Sequence, residues 1–196
     1  MNENPEDPLL ARRLRDEPED EAACIAAARA GGSRAQAWLV RRWQAPVYRY
    51  VRRMMGTDED ARDVAQDTLV KMLRKIHQYD DRYAFSTWVF GIARNTSIDE
   101  LRRRKRRSWE EPGEVVDPAA SPAQEASAGE RAVLLEAALE RLPPMYREVL
   151  VLYHFEHLKY AEIAHTLDIP IGTVMNRIFR ARRKLRGIYE EMGGTP

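Results

Sequence analysis

The sequence predicts an all-α fold made of two small helical domains joined by a flexible acidic linker. Three observations carry this. Apolar residues recur at three- and four-residue steps along most of the chain, and strand-like alternation appears nowhere. Between Ser108 and Glu130 that periodicity stops, in a stretch with three prolines, two glycines, five alanines and three serines. The total of 196 residues suits two small domains. The resulting division is an acidic arm at 1–19 read as disordered, a helical unit at 20–107, a linker at 108–130 and a second helical unit at 131–190.

Within the first unit, Asp20–Ala30 is an alanine-rich helix stopped by Gly31-Gly32. Ser33 is expected to cap a second helix running to Met55, with Trp38, Leu39, Val47, Tyr50, Val51 and Met54 inward. Pro46 should kink or restart that helix, and Gly56 should end it. Thr57 before Asp58, Glu59 and Asp60 reads as a hydroxyl cap with acids in the first turn. The helix it opens buries Val64, Ala65, Thr68, Leu69, Met72, Leu73 and Ile76 as one stripe. A loop, Tyr79–Phe85, leads to a helix capped by Ser86 that buries Trp88, Val89, Ile92, Ala93, Ile98 and Leu101.

The second unit opens with an amphipathic stretch, Arg131–Leu142, stopped by Pro143-Pro144. The next helix carries Val149, Leu150, Leu152, Tyr153 and Phe155 as apolar positions. Tyr160–Leu167 follows, then a tight turn at Asp168-Ile169, then a long basic helix opened by Pro170.

Charge is balanced in total, with 32 Lys+Arg against 31 Asp+Glu, but strongly blocked in sequence. Met1–Asp20 holds seven acids and three arginines, a net −4; Arg94–Arg107 holds seven bases and two acids, a net +5. Ser108–Glu130 has six acids and no base, and Pro170–Gly187 six bases and no acid. Two basic faces separated by an acidic segment point to two places for a polyanion, though any one such run is also what a solvated helix face looks like. One cysteine, Cys24, excludes a disulfide framework and a Cys-rich zinc module and fits a reducing cytoplasm. No apolar run is long enough for a membrane helix, and the N-terminus is unlike a secretion signal, so no membrane insertion and a cytoplasmic location are expected.

The sharpest motif lies at Tyr160–Val174. A short helix, a turn and a second helix place Ile163, Ala164 and Leu167 against Ile169, Val174 and Ile178, the helix-turn-helix arrangement whose second helix enters the major groove. Arg177, Arg180, Arg182, Arg183, Lys184 and Arg186 on that helix suit phosphates and guanine edges. A plain helical hairpin with a basic exposed face is the competing reading.

Leu142–Leu185 closely resembles region four of the bacterial sigma-seventy superfamily, in the extracytoplasmic-function (ECF) group. Asp60–Leu73 (DARDVAQDTLVKML) and Phe85–Arg104 (FSTWVFGIARNTSIDELRRR) independently resemble region two of that group. The resemblance implies a promoter-specificity subunit of RNA polymerase. Its partners would be core RNA polymerase (the β′ clamp helices and the β flap), promoter DNA and an anti-sigma factor. By the matching positions, Asp63, Gln66, Asp67 and Val70 would dock on the β′ clamp helices, and the helix from Pro144 on the β flap. Tyr79, Trp88, Arg94, Asn95, Arg102 and Arg103 would serve the minus-ten element. There Tyr79 and Asn95 would form a pocket for a flipped base, with Trp88 supporting its wall. Aromatics beside arginines suit single-stranded DNA on physical grounds too, since bases stack while cations hold the backbone. Thr173, Met175, Asn176, Arg177, Phe179 and Arg180 would read the minus-thirty-five element. Met175 departs from the family pattern, which has a basic or polar residue there, and implies an apolar contact such as one to a thymine methyl.

The acidic linker resembles those that thread toward the polymerase active-site cleft. Neutralising Glu110, Glu111, Glu114 and Asp117 is then expected to change the yield of abortive transcripts, and unchanged yields would refute it.

Two other functions compete. A metal site of His154, His157 and His165 with Glu156 and Asp168 lacks any established spacing, because His165 lies past a helix break. No nucleophile constellation or phosphate loop appears, so no enzyme, metal or cofactor is expected. A stand-alone helix-turn-helix regulator binding duplex DNA without polymerase would explain the second unit but not the region-two motif.

Overall fold

The computed structural model describes residues 20–56, 58–110 and 128–195. The acidic arm, Thr57 and residues 111–127 lie outside the described residues, and the expectations placed on them lie there too. Eight α-helices and no strand occur among the described residues.

Helix α1 (Glu21–Arg29) is capped by Asp20, whose Oδ1 accepts from the Ala22 N–H at 3.1 Å. Gly31 takes a left-handed turn (φ 86°) and Gly32 bonds back to the Ala27 carbonyl at 2.9 Å, so α2 (Ser33–Met55) folds back on α1. Ser33 is its first helical residue and not its cap, because Gly32 occupies that place with no side-chain bond. Helix α2 continues through Pro46 without restarting. Gly56, left-handed at φ 83°, ends it as expected.

Helix α3 (Asp58–Lys75) buries Ala61, Val64, Ala65, Thr68 and Met72. The Thr68 hydroxyl is satisfied by donating to the Val64 carbonyl at 2.7 Å. After one 3₁₀ turn (Ile76–Gln78) the loop leads to α4 (Phe85–Glu110), where Phe85 is already helical and Ser86 lies inside. Phe90, absent from the expected core, is buried against Trp43 and Tyr50.

The second unit comprises α5 (Ala128–Arg141), α6 (Pro144–Leu150), a π-helical stretch (Val151–Phe155), α7 (Tyr160–Leu167) and α8 (Ile171–Glu191). Helices α4 and α5 each reach three residues into the expected linker. Pro170 stands at the N-cap of α8, one residue before the helix proper. The Asp168 backbone is left-handed (φ 52°), which turns the chain sharply between α7 and α8. Ile163, Leu167, Val174 and Ile178 are buried there, as the motif requires.

The two units are docked on one another and share a single core. Leu139, Leu142, Val149 and Ile163 belong to the same buried cluster as Leu39, Tyr50 and Val89. Each fully buried Leu or Ile contributes roughly 1.5–3 kcal/mol. Polar contacts frame the seam. Arg52 Nη1 donates to Glu140 at 2.9 Å, Arg53 pairs with Glu136 at 3.1 Å, and Arg147 Nη1 donates to the Met54 carbonyl at 3.0 Å. Tyr83 stacks on His165 with ring centroids 3.7 Å apart.

Candidate nucleic-acid interface

The recognition helix α8 packs Val174, Ile178 and Ala181 inward, and at 3.6 residues per turn this turns Gly172, Met175, Asn176, Phe179, Arg180 and Arg183 outward. Phe179 is 71 % exposed, Met175 53 % and Ile171 49 %, an apolar ridge flanked by cations. Nothing lies within 4 Å of where a Gly172 side chain would start. Of the residues assigned to the minus-thirty-five element, Met175, Asn176, Phe179 and Arg180 share this open face. Thr173 and Arg177 sit at its half-buried flanks, and Arg177 faces the Glu148 carboxylate. Sequence reasoning missed Ile171 and Gly172 as part of this face, because exposure of an apolar side chain is not legible from its identity.

In the first unit, Tyr79 sits in an aromatic cluster. Its ring meets Phe85 edge-on at 5.0 Å and Trp88 at 5.6 Å, while Arg29 lies over it at 5.3 Å. Its hydroxyl donates to the Tyr83 carbonyl at 2.6 Å, and Arg29 donates to the Tyr79 carbonyl, so the loop is tied down at both ends. Within the loop, Arg82 hydrogen-bonds Asp80 and holds its carboxyl at about 2. Trp88 and exposed Asn95 lie two turns apart on α4. Gly91 stands between them, and a methyl group on its Cα would meet no atom within 4 Å, which leaves a notch on that face. Arg102 and Arg103 are exposed, and Arg103 pairs with Glu100 at 2.5 Å.

Arg94 is half-buried and already paired. Its Nε donates to Glu148 at 2.5 Å across the seam between the units. Burial raises the Glu148 carboxyl above its ordinary range, outweighing the attraction of Arg94 and Arg177; burial likewise raises Glu156. A carboxyl whose folded-state value is raised binds its proton more tightly in the folded chain than in the unfolded one. Its contribution is therefore fully present in acid and is lost as pH rises through the folded-state value. The melting temperature is expected to fall along such a limb above the ordinary carboxylate range, and Glu148→Gln with Glu156→Gln to flatten it. Thermal scans at stepped pH check this; an unchanged limb in the double variant would refute it.

Helix α3 carries the third surface. Asp63, Gln66, Asp67 and Val70 are exposed together, opposite its buried stripe. Lys71 pairs with Asp67 at 2.8 Å. A cleft of about 600 Å³ runs alongside, lined by Asp60, Asp63, Asp67 and Asp99 with Lys71 and Arg106. Asp99, from α4, thus joins the acidic stripe of α3, a pairing across helices that spacing on one helix could not reveal.

The three histidines have different surroundings. His154 accepts from Arg182 Nε at 3.3 Å, His165 stacks on Tyr83, and His157 has a left-handed backbone (φ 57°) in the turn before α7. Burial, with Arg182 and His157 nearby, lowers the His154 imidazole below its ordinary value.

A chain whose described residues form helices alone, with a recognition helix that has an open, cation-flanked face and an aromatic loop beside arginines, belongs to the DNA-binding proteins of the helix-turn-helix class. Residues 39–107 match the family described as Sigma-70 region 2, and residues 132–185 that described as Sigma-70, region 4. The chain belongs to the sigma-70 superfamily and, within it, to the ECF RNA polymerase sigma factors. It is 37 % identical over 178 residues to the ECF RNA polymerase sigma factor SigE of Mycolicibacterium smegmatis, covering 87 % of this chain and 69 % of that one. It is 30 % identical over 151 residues to SigW of Bacillus subtilis, covering 71 % of this chain and 81 % of that one. Among solved structures, CnrH in complex with the cytosolic domain of CnrY superposes with a TM-score of 0.66 at 26 % identity, over 87 % of this chain and 97 % of that one. The sigma factor RpoE of Bartonella quintana, solved with the anti-sigma factor NepR, shares the fold with a TM-score of 0.66 at 24 % identity, over 79 % of this chain and 96 % of that one. No helix among the described residues is long and apolar enough to cross a membrane.

Proposed function

We propose that this sigma factor divides its work among the three surfaces as follows. The acidic stripe Asp63, Gln66, Asp67 and Val70 meets the β′ clamp helices of core polymerase, and α6 meets the β flap. The open face of α8, with Met175, Asn176, Phe179 and Arg180 foremost and Thr173 and Arg177 at its flanks, reads the minus-thirty-five box. Tyr79, Trp88, Asn95, Arg102 and Arg103 capture the melted minus-ten strand, joined by Arg94 once it is released from Glu148. Binding energy drives the melting; phosphate contacts position the DNA and base contacts choose it. The chain acts in the cytoplasm and carries no catalytic chemistry of its own. It takes an anti-sigma partner, as the sigma factor RpoE of Bartonella quintana takes the anti-sigma factor NepR.

The observation that supports this reading best is the coexistence in one chain of an exposed acidic stripe and two exposed DNA-type faces. A stand-alone regulator needs only the last of these. The test is run-off transcription from a promoter library by purified core polymerase, with and without this chain. Initiation that depends on the chain and on a shared two-box motif is expected. Specific duplex binding without polymerase, and no initiation with it, would favour the stand-alone regulator.

The notch at Gly91 sharpens the minus-ten assignment. Gly91→Leu is expected to fill it and lower transcription about 5- to 150-fold, the cost of losing one stacked base at ~1–3 kcal/mol. Thermal stability should hold or rise, since glycine is the poorer helix former. Undiminished transcription by a stable variant would remove the notch from the base-binding site.

A further inference from the structure

The aromatic loop carries one more ring than the minus-ten assignment uses. Tyr79, Phe85 and Trp88 pack on one another edge-on or tilted, with interplanar angles of 85°, 50° and 36°. Tyr83, in the same loop, is 41 % exposed, so it is a surface ring and not part of that core. His165 of α7 lies flat on it, with 3.7 Å between centroids and 10° between planes. Aromatic side chains prefer offset or edge-on pairs with centroids ~4.5–7 Å apart. This pair is closer and flatter. A planar ring laid face to face on an exposed aromatic is the arrangement in which a base of a single strand stacks.

The loop backbone fixes where this ring stands. The Tyr79 hydroxyl donates to the Tyr83 carbonyl at 2.6 Å, and the Tyr83 N–H closes a turn onto the Asp80 carbonyl at 3.3 Å. Arg82 Nε donates to both Asp80 oxygens, at 3.0 and 2.8 Å. A ring held in this way loses little freedom when a base stacks on it. The same residues narrow the ligand. Asp80, Asp81 and an arginine already engaged make the loop a poor seat for a phosphate, whereas stacking needs only the ring face.

The second unit continues along the same edge. Thr166, next to His165, has its hydroxyl 3.4 Å from the Thr87 carbonyl in the first turn of α4. Two turns further along α4, Glu148 holds Arg94 at 2.5 Å. The docked unit thus sets a planar ring and an anion against the loop and α4, the two chemistries of a nucleotide strand.

We infer that the Tyr83 ring is a further stacking site of the minus-ten face, and that His165 occupies it while the units are docked. It takes a base of the melted strand beside the one assigned to the pocket of Tyr79 and Asn95. The inference rests on the minus-ten reading proposed above and adds a residue to it.

The test is binding of the holoenzyme, core polymerase with the full chain, to a labelled fragment of a library promoter whose minus-ten segment is single-stranded. Each base of that segment is replaced in turn by an abasic sugar. Loss of the base on Tyr83 should weaken wild-type binding about 5- to 150-fold. Tyr83→Ala should weaken binding of the intact fragment by the same factor. In that variant the abasic sugar at one position should then cost little more, while its cost elsewhere stays as in the wild type. Tyr83→Phe should behave as the wild type, since the ring and not the hydroxyl makes the contact. Both Tyr83 and His165 are exposed, so the variants should fold.

Without polymerase, His165→Ala should raise the affinity of the full chain for the same single strand about 2- to 12-fold, the worth of one aromatic pair. It should do nothing when Tyr83 is alanine. Wild-type binding by Tyr83→Ala, or losses shared equally by all positions, would overturn the inference. So would a His165→Ala change that has no effect, or the same effect with and without Tyr83. A wild-type holoenzyme that does not distinguish the intact minus-ten strand from a fully abasic one would overturn the minus-ten reading itself, and the inference with it.

Discussion

Arginine at both Asp63 and Asp67 is expected to cut promoter-dependent transcription by this sigma factor about a hundredfold, ~3 kcal/mol of lost binding to core polymerase. Both side chains are exposed, and Asp67 pairs with Lys71 on the same helix. The buried stripe behind them is untouched, so the variant should fold and melt normally. What changes is the sign of a surface whose neighbours Asp60 and Asp99 extend the acidic field along the cleft. A basic partner helix would then meet repulsion where it had met attraction. Core binding measured by gel filtration separates the outcomes. Loss of both core binding and transcription is the expected result, and full core binding by the variant would free this stripe of its assigned role.

Locking the two units together is expected to have as large an effect. The minus-thirty-five and minus-ten boxes lie about 25 base pairs apart, or ~85 Å of duplex at ~3.4 Å per base pair. On the proposed division of surfaces, a chain held docked by the Tyr83–His165 stack, 3.7 Å between centroids, cannot reach both. Cysteines at these two positions, joined by a short bis-maleimide, should leave less than a tenth of the run-off product of the unjoined chain, while either single variant should transcribe at one rate with and without the reagent. Native Cys24 is fully buried and should not compete for the reagent. Transcription by the joined chain at the unjoined rate would show that the docked form is itself productive.

Most of the fold was legible because local rules governed it. The stripe of α3 follows a simple three- and four-residue period, and Gly56 and the turn at Asp168-Ile169 stop their helices where backbone chemistry predicts. The errors lay at boundaries. Ser33 and Ser86 looked like caps, but the preceding backbone satisfies those helix starts, with the Thr87 N–H bonded to the Ala84 carbonyl at 3.0 Å. Of the two outcomes expected at Pro46, a kink or a restart, the restart does not occur, and α2 runs on through it, packed on α1, α3 and α4. Within the candidate site, Tyr79 and Trp88 come together as the motif implied. Arg94 is held by Glu148, a partner 54 residues away, and a contact of that range leaves no periodic trace.

The shared core bears on how the molecule comes apart. With Leu139, Val149 and Ile163 in one cluster with Leu39 and Val89, neither unit can lose its interior without exposing that of the other. Heating should therefore produce one cooperative heat-absorption peak for the whole chain. Any partner that draws the units apart should resolve it into two, so the calorimeter trace would report the state of the seam without a label or a promoter.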